Sequence, residues 1–336
     1  MLELTPDNAV EYLRRQGWVG PGPVQVEPLG WGVSNAVLRV ATPEQTFVLK
    51  QSRPRLRTRD AWFSNLDRIF REQEVMQALY SLLPEPTVPR VLFSDRANYV
   101  FAMSHAPAGA RVWKEVLLAG EVDRAVGERA GFILGLMHEA TARDPRLVEP
   151  FRDHTVFDQL RIDPFYRRIQ ERRPEVAHLV EPLVQRLLSV KEALCHGDYS
   201  PKNILIHAQG FTLVDYETAH FGDPSMDLGF FLSHLLLKAV KRWPEHLPYF
   251  DLTRAFWETY AATARFRPRA EWEGRAIGHC AVCALARIDG TSPVEYLPDE
   301  PRRQTVRRLG RRILEEQPAR WEEVLHLADS EMASLG

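Results

Sequence analysis

Apolar positions along the chain change period twice, from helical to alternating and then back to helical for most of the remaining length. Thr5, Pro6 and Asp7 supply an N-cap, a first-position proline and a first-turn acid, and Gly17 supplies a stop. Together they predict a short leading helix. Over residues 24–51 the segments VQVEPL, AVLRV and TFVLKQ alternate, with turn residues at 30–35 and 42–44, which predicts a small antiparallel sheet. The helical period returns over 65–82 through Leu66, Ile69, Phe70, Val75, Leu79 and Leu82. Two further strands are expected at 88–93 and 98–103. The second runs into Ser104-His105-Ala106-Pro107-Ala108-Gly109, where Pro and Gly mark a hinge. Beyond it the pattern predicts helices at 121–140, 178–192, 226–240, 251–264, 272–287 and 301–315, with loops and short helices over 141–175. One β interruption stands out, with Ile204-Leu205-Ile206 pairing with Phe211-Thr212-Leu213-Val214 through Ala208-Gln209-Gly210. The expected class is α+β, with a β-rich lobe at residues 1–104 and a larger helical lobe at 105–336.

Length agrees with two lobes, since 336 residues exceed one ordinary core. Lys and Arg number 43 against 45 Asp and Glu, so no global field draws the chain to nucleic acid or to an anionic membrane, and any phosphate site must be local. Three cysteines are too few for a disulfide framework. The pair Cys280 and Cys283 has metal or redox spacing, but it sits in the apolar run HCAVCALA without a second pair and reads as core. No secretory signal is evident in MLELTPDN, and the apolar stretch 228–237 is too short to span a bilayer. A cytoplasmic monomer or homodimer, with neither nucleic acid nor membrane as partner, is the expectation. The arginines at 302, 303, 307, 308, 311 and 312 share a helix with Val306, Leu309 and Ile313, which predicts a solvated amphipathic helix. His138 reads as a structural histidine.

The chemistry concentrates in residues 194–227, LCHGDYSPKNILIHAQGFTLVDYETAHFGDPSMD. Asp198 and Asn203 flank a short turn, and the hairpin returns the chain so that Asp215 and Glu217 come near Asn203. Oxygen donors from Asn203, Asp215 and Glu217 suit Mg²⁺, which takes few protein ligands alongside water and phosphate oxygens, and Asp198 remains for an acceptor. Asp and Asn are common in turns, so the joint spacing carries the reading. Elsewhere the residues leave alternatives open. The turn containing Gly30, Gly32 and Ser34 is either a plain hairpin loop or a cradle of backbone N–H groups for phosphates. Lys50, ending the strand Phe47-Val48-Leu49, is either solvated or a phosphate-holding lysine, and Glu72 is either a surface acid or its partner. A bound nucleotide would place its adenine against the backbone of Met103 to His105.

HGDYSPKN followed by VDYE resembles the aminoglycoside phosphotransferase and choline kinase superfamily, small-molecule kinases with a bilobal protein-kinase-like fold. LGWGVSN, FVLK and REQEVMQAL arrive in the order of that superfamily. KQSRPRLR with Trp62, and Phe221-Gly222 leading to Asp227-Leu228-Gly229, are most similar to methylthioribose kinases. Asn203 departs from that group's pattern, as does a lone Arg287 in place of adjacent arginines. The resemblance implies ATP-dependent transfer of the γ-phosphoryl group to a hydroxyl of a small molecule such as a sugar, amino alcohol or aminoglycoside-like compound. By it, Asp198 would accept or orient the attacking hydroxyl, Asn203 and Asp215 would hold Mg²⁺ with Glu217 as a further ligand, and Lys50 would hold the α- and β-phosphates with Glu72 behind it. Asp227 and His196 would support the catalytic turn. Arg287, Trp62, Trp113, Asp153 and Asp158 are acceptor-side candidates, and the loop RIDGTSPVEY is placed to close over substrate. A protein kinase is the alternative enzyme, disfavoured by His-Gly-Asp in place of His-Arg-Asp and by the lack of an evident Asp-Phe-Gly to Ala-Pro-Glu segment. A nucleotide-binding protein without turnover is the alternative from outside catalysis.

Overall fold

A computed structural model describes residues 2–30, 35–53 and 65–335. The expectations placed on Gly32, Ser34 and Trp62 lie outside the described residues.

Among the described residues, five strands form an antiparallel sheet in the order β1 (Gln25–Pro28), β2 (Asn35–Ala41), β3 (Thr46–Ser52), β5 (Val100–Ser104) and β4 (Val91–Asp95). Alternation along β3 fixes what each face meets, because successive side chains point to opposite sides. Phe47 and Leu49 share a core with Leu4, Ala9 and Leu13 from the region of the leading helix Pro6–Arg15. On that face Gln51 Oε1 accepts from the Leu4 main-chain N–H at 2.8 Å. Val48 faces the other way, toward Ile69, Phe70, Val75 and Met76 of the helix Arg68–Tyr80. Lys50, two residues on from Val48, points to that same side. In the helix Arg68–Tyr80, Glu72 lies three residues from both Ile69 and Val75, so helical spacing puts it on the buried stripe. Both ionisable groups are therefore carried inward by the same periods that bury their apolar neighbours.

After Ser104 the chain is mostly helical, with β6 (Arg111–Val112), β7 (Ala193–Cys195), β8 (Ile204–His207), β9 (Gly210–Leu213) and β10 (His220–Gly222) making small sheets. Strand β8 pairs with β6 and β9, while β7 pairs with β10, all antiparallel. The helix Ser225–Arg242 is buried from Ser225 to Val240, as an element apolar all round must be. It packs against Arg269–Asp289 so closely that a Cβ on Gly229 would stand 2.4 Å from the Ala276 carbonyl oxygen. Cys280 and Cys283 are buried in this contact, and burial raises both thiol pKa values. Among the described residues no helix is long and apolar enough to cross a membrane.

Several elements differ from the sequence reading. The strand expected at 88–93 starts at Val91, and helices Trp113–Ala119 and Trp321–Met332 were not foreseen. The arginine-rich helix Glu300–Glu316 is more than solvated. Arg307 donates to Asp289 at 2.8 Å, and Arg308 and Arg312 donate to Glu331 at 2.7 and 2.9 Å, tying it to both neighbouring helices. Trp113 is fully buried against Phe231, Asp153 caps Thr155 at 2.9 Å, and Asp158 pairs with Arg167. Those three candidates serve packing and local structure.

Candidate active site

Strand β7 delivers the chain into the turn His196-Gly197-Asp198, and three features fix that turn. Gly197 adopts φ +74°, and a Cβ there would meet the Thr218 carbonyl oxygen at 2.6 Å, so neither conformation nor space admits a side chain. Asp227, at the start of the helix Ser225–Arg242, accepts from the main-chain N–H of His196 at 2.6 Å and of Gly197 at 2.8 Å. Its carboxylate is wholly buried beside His138, whose ring also reaches Tyr260. Burial works to raise the Asp227 pKa, but the contact with His138 and the donated hydrogen bonds outweigh it and lower it. His196 Nδ1 accepts from the Asp198 main-chain N–H at 3.1 Å, and burial lowers the ring's pKa, leaving it neutral.

Asp198 is buried, and three side chains converge on its Oδ2. Arg161 Nη2 lies at 2.7 Å, Asn203 Nδ2 donates at 2.9 Å, and Lys202 Nζ stands at 3.4 Å. Burial pushes its pKa up, yet Arg161 and Lys202 more than offset this and hold it below the usual carboxylate range. Arg161 was missed in the sequence. It comes from a π-helical segment, Asp158–Arg167, a rare conformation that often re-aims side chains at functional sites. Its Nε donates to the Gly197 carbonyl at 2.8 Å, so it holds the turn as well as the carboxylate.

A one-turn 3₁₀ segment, Pro201–Asn203, leads into β8, and the hairpin turns through Ala208 and Gln209. At its far end the Val214 main-chain N–H donates to the Asn203 carbonyl at 3.0 Å, which brings Asp215 beside Asn203. Asp215 has φ +71°, a left-handed conformation that Asp tolerates better than most residues. Lys50 Nζ lies 2.8 Å from Asp215 Oδ1 and 2.6 Å from Glu72 Oε2. Burial opposes a charged Lys50, but Asp215 and Glu72 raise its pKa and keep it an ammonium. Burial also lowers the cation's chance of exchanging these partners for water. Asp215 is pulled well below the usual range by Lys50 and Lys202, against the effect of burial.

Glu72, Asp215 and Glu217 offer carboxylate oxygens within 4.8 Å of one another, all hard donors of the kind a divalent cation takes. Glu217 Oε2 is engaged by Asn35 Nδ2 at 2.8 Å and Arg68 Nε at 3.1 Å. Asn203 Nδ2 is turned to Asp198, which leaves its amide oxygen on the opposite side. Lys50, Asn203 and Asp215 line a cleft of about 270 Å³, whose other walls include Val37, Val48, Met103, His105 and Leu205. Gly30 is not among its lining residues. Arg287 lies within electrostatic reach of Asp198 and Arg161.

The cleft therefore combines apolar walls with the polar group Lys50, Asn203 and Asp215, and Glu72 and Asp198 are hydrogen-bonded to that group from behind. The sequence model of the APH phosphotransferase enzyme family matches residues 25–276, three quarters of the chain. The chain belongs to that family. The methylthioribose kinase of Exiguobacterium sibiricum is 26% identical over 309 residues, covering 81% of this chain and 76% of the relative. That of Geobacillus kaustophilus is 25% identical over 289 residues, covering 77% and 72%. Among solved structures, amicoumacin kinase hAmiN with AMP-PNP, Ca²⁺ and amicoumacin superposes with a TM-score of 0.56 at 14% identity, covering 93% of this chain and 94% of the other. That likeness concerns the fold, a small antiparallel sheet followed by a helical remainder. The family is one of phosphotransferases, and its members here are kinases for small molecules.

Proposed function

We propose that the cleft transfers the γ-phosphoryl group of Mg-ATP to a hydroxyl of a small molecule, using Asp198 on the acceptor side and Lys50, Asn203 and Asp215 on the nucleotide side. The observation that carries this reading is the convergence of Lys50, Glu72 and Asp215 within one hydrogen-bonded set, of which Lys50 and Asp215 line the cleft. The two lobes are divided at residues 104 and 105, and adenine lies against the segment from Met103 to His105.

The donor set fits Mg²⁺. Asp215 and Asn203 would hold it, with the remaining oxygen of Glu217 as a further ligand. When bound there, Mg²⁺ would supply charge neutralisation of the phosphates in the loose transition state. Lys50, held by Glu72, turns from Asp215 Oδ1 to the α- and β-phosphates. The acceptor oxygen attacks the γ-phosphorus, the bond to the β,γ-bridging oxygen breaks, and ADP leaves. The products are a phosphate monoester, ADP and the proton of the hydroxyl. Asp198 is too acidic to remove that proton in the ground state, since cations hold it below an ordinary aspartate. Its work is to accept the hydroxyl's hydrogen bond and aim the oxygen, taking the proton late, when bond formation has made it acidic.

The test is ADP release from Mg-ATP by the purified chain against sugars, amino alcohols, inositols and aminoglycosides. Release that depends on an acceptor and stops when EDTA removes the metal is expected. Release that persists without metal would contradict the metal-holding role, and no release with any acceptor despite stabilisation by Mg-ATP would favour a nucleotide-binding protein without turnover.

A further inference from the structure

Around Arg287, which is within electrostatic reach of Asp198, cations gather without enough acids to balance them. Lys238 is 1% exposed, and its Nζ donates to the His234 carbonyl at 3.2 Å. It stands 5.4 Å from the centre of the Tyr296 ring, and Lys114 Nζ approaches the same ring at 5.9 Å. Arg287 spends Nη1 on Ser292, at 2.6 Å to the carbonyl and 3.2 Å to the hydroxyl, while its buried Nε has no hydrogen-bond partner. The buried Tyr296 hydroxyl also has none. Among the described residues, Glu295 is the acid within salt-bridge reach of this group. It lies 3.8 Å from Lys114 with its side chain 82% exposed, where water screens it. Neither Lys238 nor Arg287 has a carboxylate within 4 Å among the described residues.

A folded chain gains nothing by gathering cations around a buried lysine, because desolvation and mutual repulsion both oppose it. Burial, with Lys114 and Arg287 adding to it, pushes Lys238 down to about 7. Burial and the surrounding cations, Lys238, Arg287, Lys202 and Lys114, also hold His234 well below the usual range and therefore neutral. Exposure is graded, with Lys238 deepest, Arg287 and Tyr296 half-buried, and the Lys114 side chain 28% exposed at the rim. Exposure thus rises from Lys238 to Lys114, so an anion arriving from solvent at Lys114 would meet the orphaned donors before Lys238. Arg287 is also within electrostatic reach of Asp198 and Arg161, so an anion seated here belongs to the same molecule that offers its hydroxyl to Asp198.

We propose that Lys238, Arg287 and Lys114, with the Tyr296 hydroxyl, form an anion subsite next to Asp198, so that the acceptor is a small hydroxylated molecule bearing a carboxylate or a phosphate. This rests on the phosphotransferase reading and specifies the substrate class for it. Neutral sugars leave the cations unmatched, and cationic amino sugars are repelled.

The experiment uses two matched series with Mg-ATP, one of glycerol, glycerate, glycerol 3-phosphate and serinol, the other of glucitol, gluconate, glucose 6-phosphate and glucosamine. Methylthioribose is the neutral reference. ADP release and thermal stabilisation are read in parallel. An anionic member should exceed its neutral and cationic partners in kcat/KM by about tenfold or more, as charged hydrogen bonds warrant. The carboxylate and phosphate arms show which anion is taken. Lys238→Met, which keeps the volume and removes the charge, should abolish this preference by raising the acceptor KM while the KM for ATP stays the same. Lys114→Ala, at the rim, should weaken it without burdening the fold. Preference for methylthioribose or another neutral or cationic member would overturn the subsite and leave the kinase reading standing. So would a preference that survives in Lys238→Met. Stabilisation by the anions alone, with no ADP release from any compound, would support the subsite and defeat the kinase reading. No anion-selective response in either readout overturns the subsite.

Discussion

Asp198 gathers three donors on one carboxylate oxygen, and Arg161 makes the shortest of those contacts. Because Arg161 also donates to the Gly197 carbonyl, it sets the direction of the carboxylate as well as its charge. Arg161→Met is therefore expected to lower kcat by about tenfold or more, the scale of a misaimed catalytic group. The KM for ATP should stay unchanged, and Arg161→Lys should recover part of the loss. Steady-state kinetics on the three proteins checks this, and an unchanged kcat in Arg161→Met would remove its positioning role. The sequence offered no signal for Arg161. Its segment is rich in Pro, Arg and Asp, and a π-helical turn follows no common apolar period. Lys50 and Glu72 were easier to bring together, because β alternation and helical spacing put both on inward faces, and the structure places them 2.6 Å apart. The loop residues Gly32 and Ser34, with Trp62, lie outside the described residues.

At the scale of elements, the turn His196-Gly197-Asp198 hangs on the first turn of the helix Ser225–Arg242 through Asp227. The two buried main-chain N–H groups use different oxygens of Asp227, so in Asp227→Asn one keeps its acceptor and the other faces an amide NH2, at a cost of about 2–4 kcal/mol. Burial works to raise the Asp227 pKa, while His138 and the donated hydrogen bonds lower it, leaving it below the unfolded value. Since that folded value is the lower one, the contribution is fully present above the unfolded pKa of about 4 and is lost as pH falls through the folded pKa. The gap in Tm between the native protein and Asp227→Asn should then be widest near neutral pH and shrink in acid. A gap that grows as pH falls would contradict the assignment. The long helices were legible because their apolar faces repeat over several turns. Trp113–Ala119 was not, being seven residues long with no room for a repeat. The arginines of Glu300–Glu316 pattern like a solvated face, and their partners Asp289 and Glu331 lie on other elements, where local periodicity carries no information.

The whole molecule brings two halves to one cleft. The first sheet supplies Lys50, the helix behind it Glu72, and the small sheets of the helical part Asp198, Asn203 and Asp215. The main-chain N–H of Leu213 donates to the Thr87 carbonyl at 2.7 Å, so the hairpin that carries the second set is tied directly to the first half. That the chain pairs a β-rich first part with a helical remainder was readable from its change of period. The family was readable from HGDYSPKN and VDYE, because fixed spacing survives where overall identity has fallen to 26%. The acceptor side was only partly readable: Arg287 and the loop ending at Tyr296 were candidates, whereas Lys114 and Lys238 lie far off in sequence and meet them only in the folded chain. The central claim is that this cleft moves a phosphoryl group onto an acceptor aimed by Asp198. Acceptor-dependent ADP release at saturating Mg-ATP, compared between the native protein and Asp198→Asn, tests it most directly. The variant should retain stabilisation by Mg-ATP and lose about 10²-fold or more of turnover. Native-like release from Asp198→Asn would contradict it.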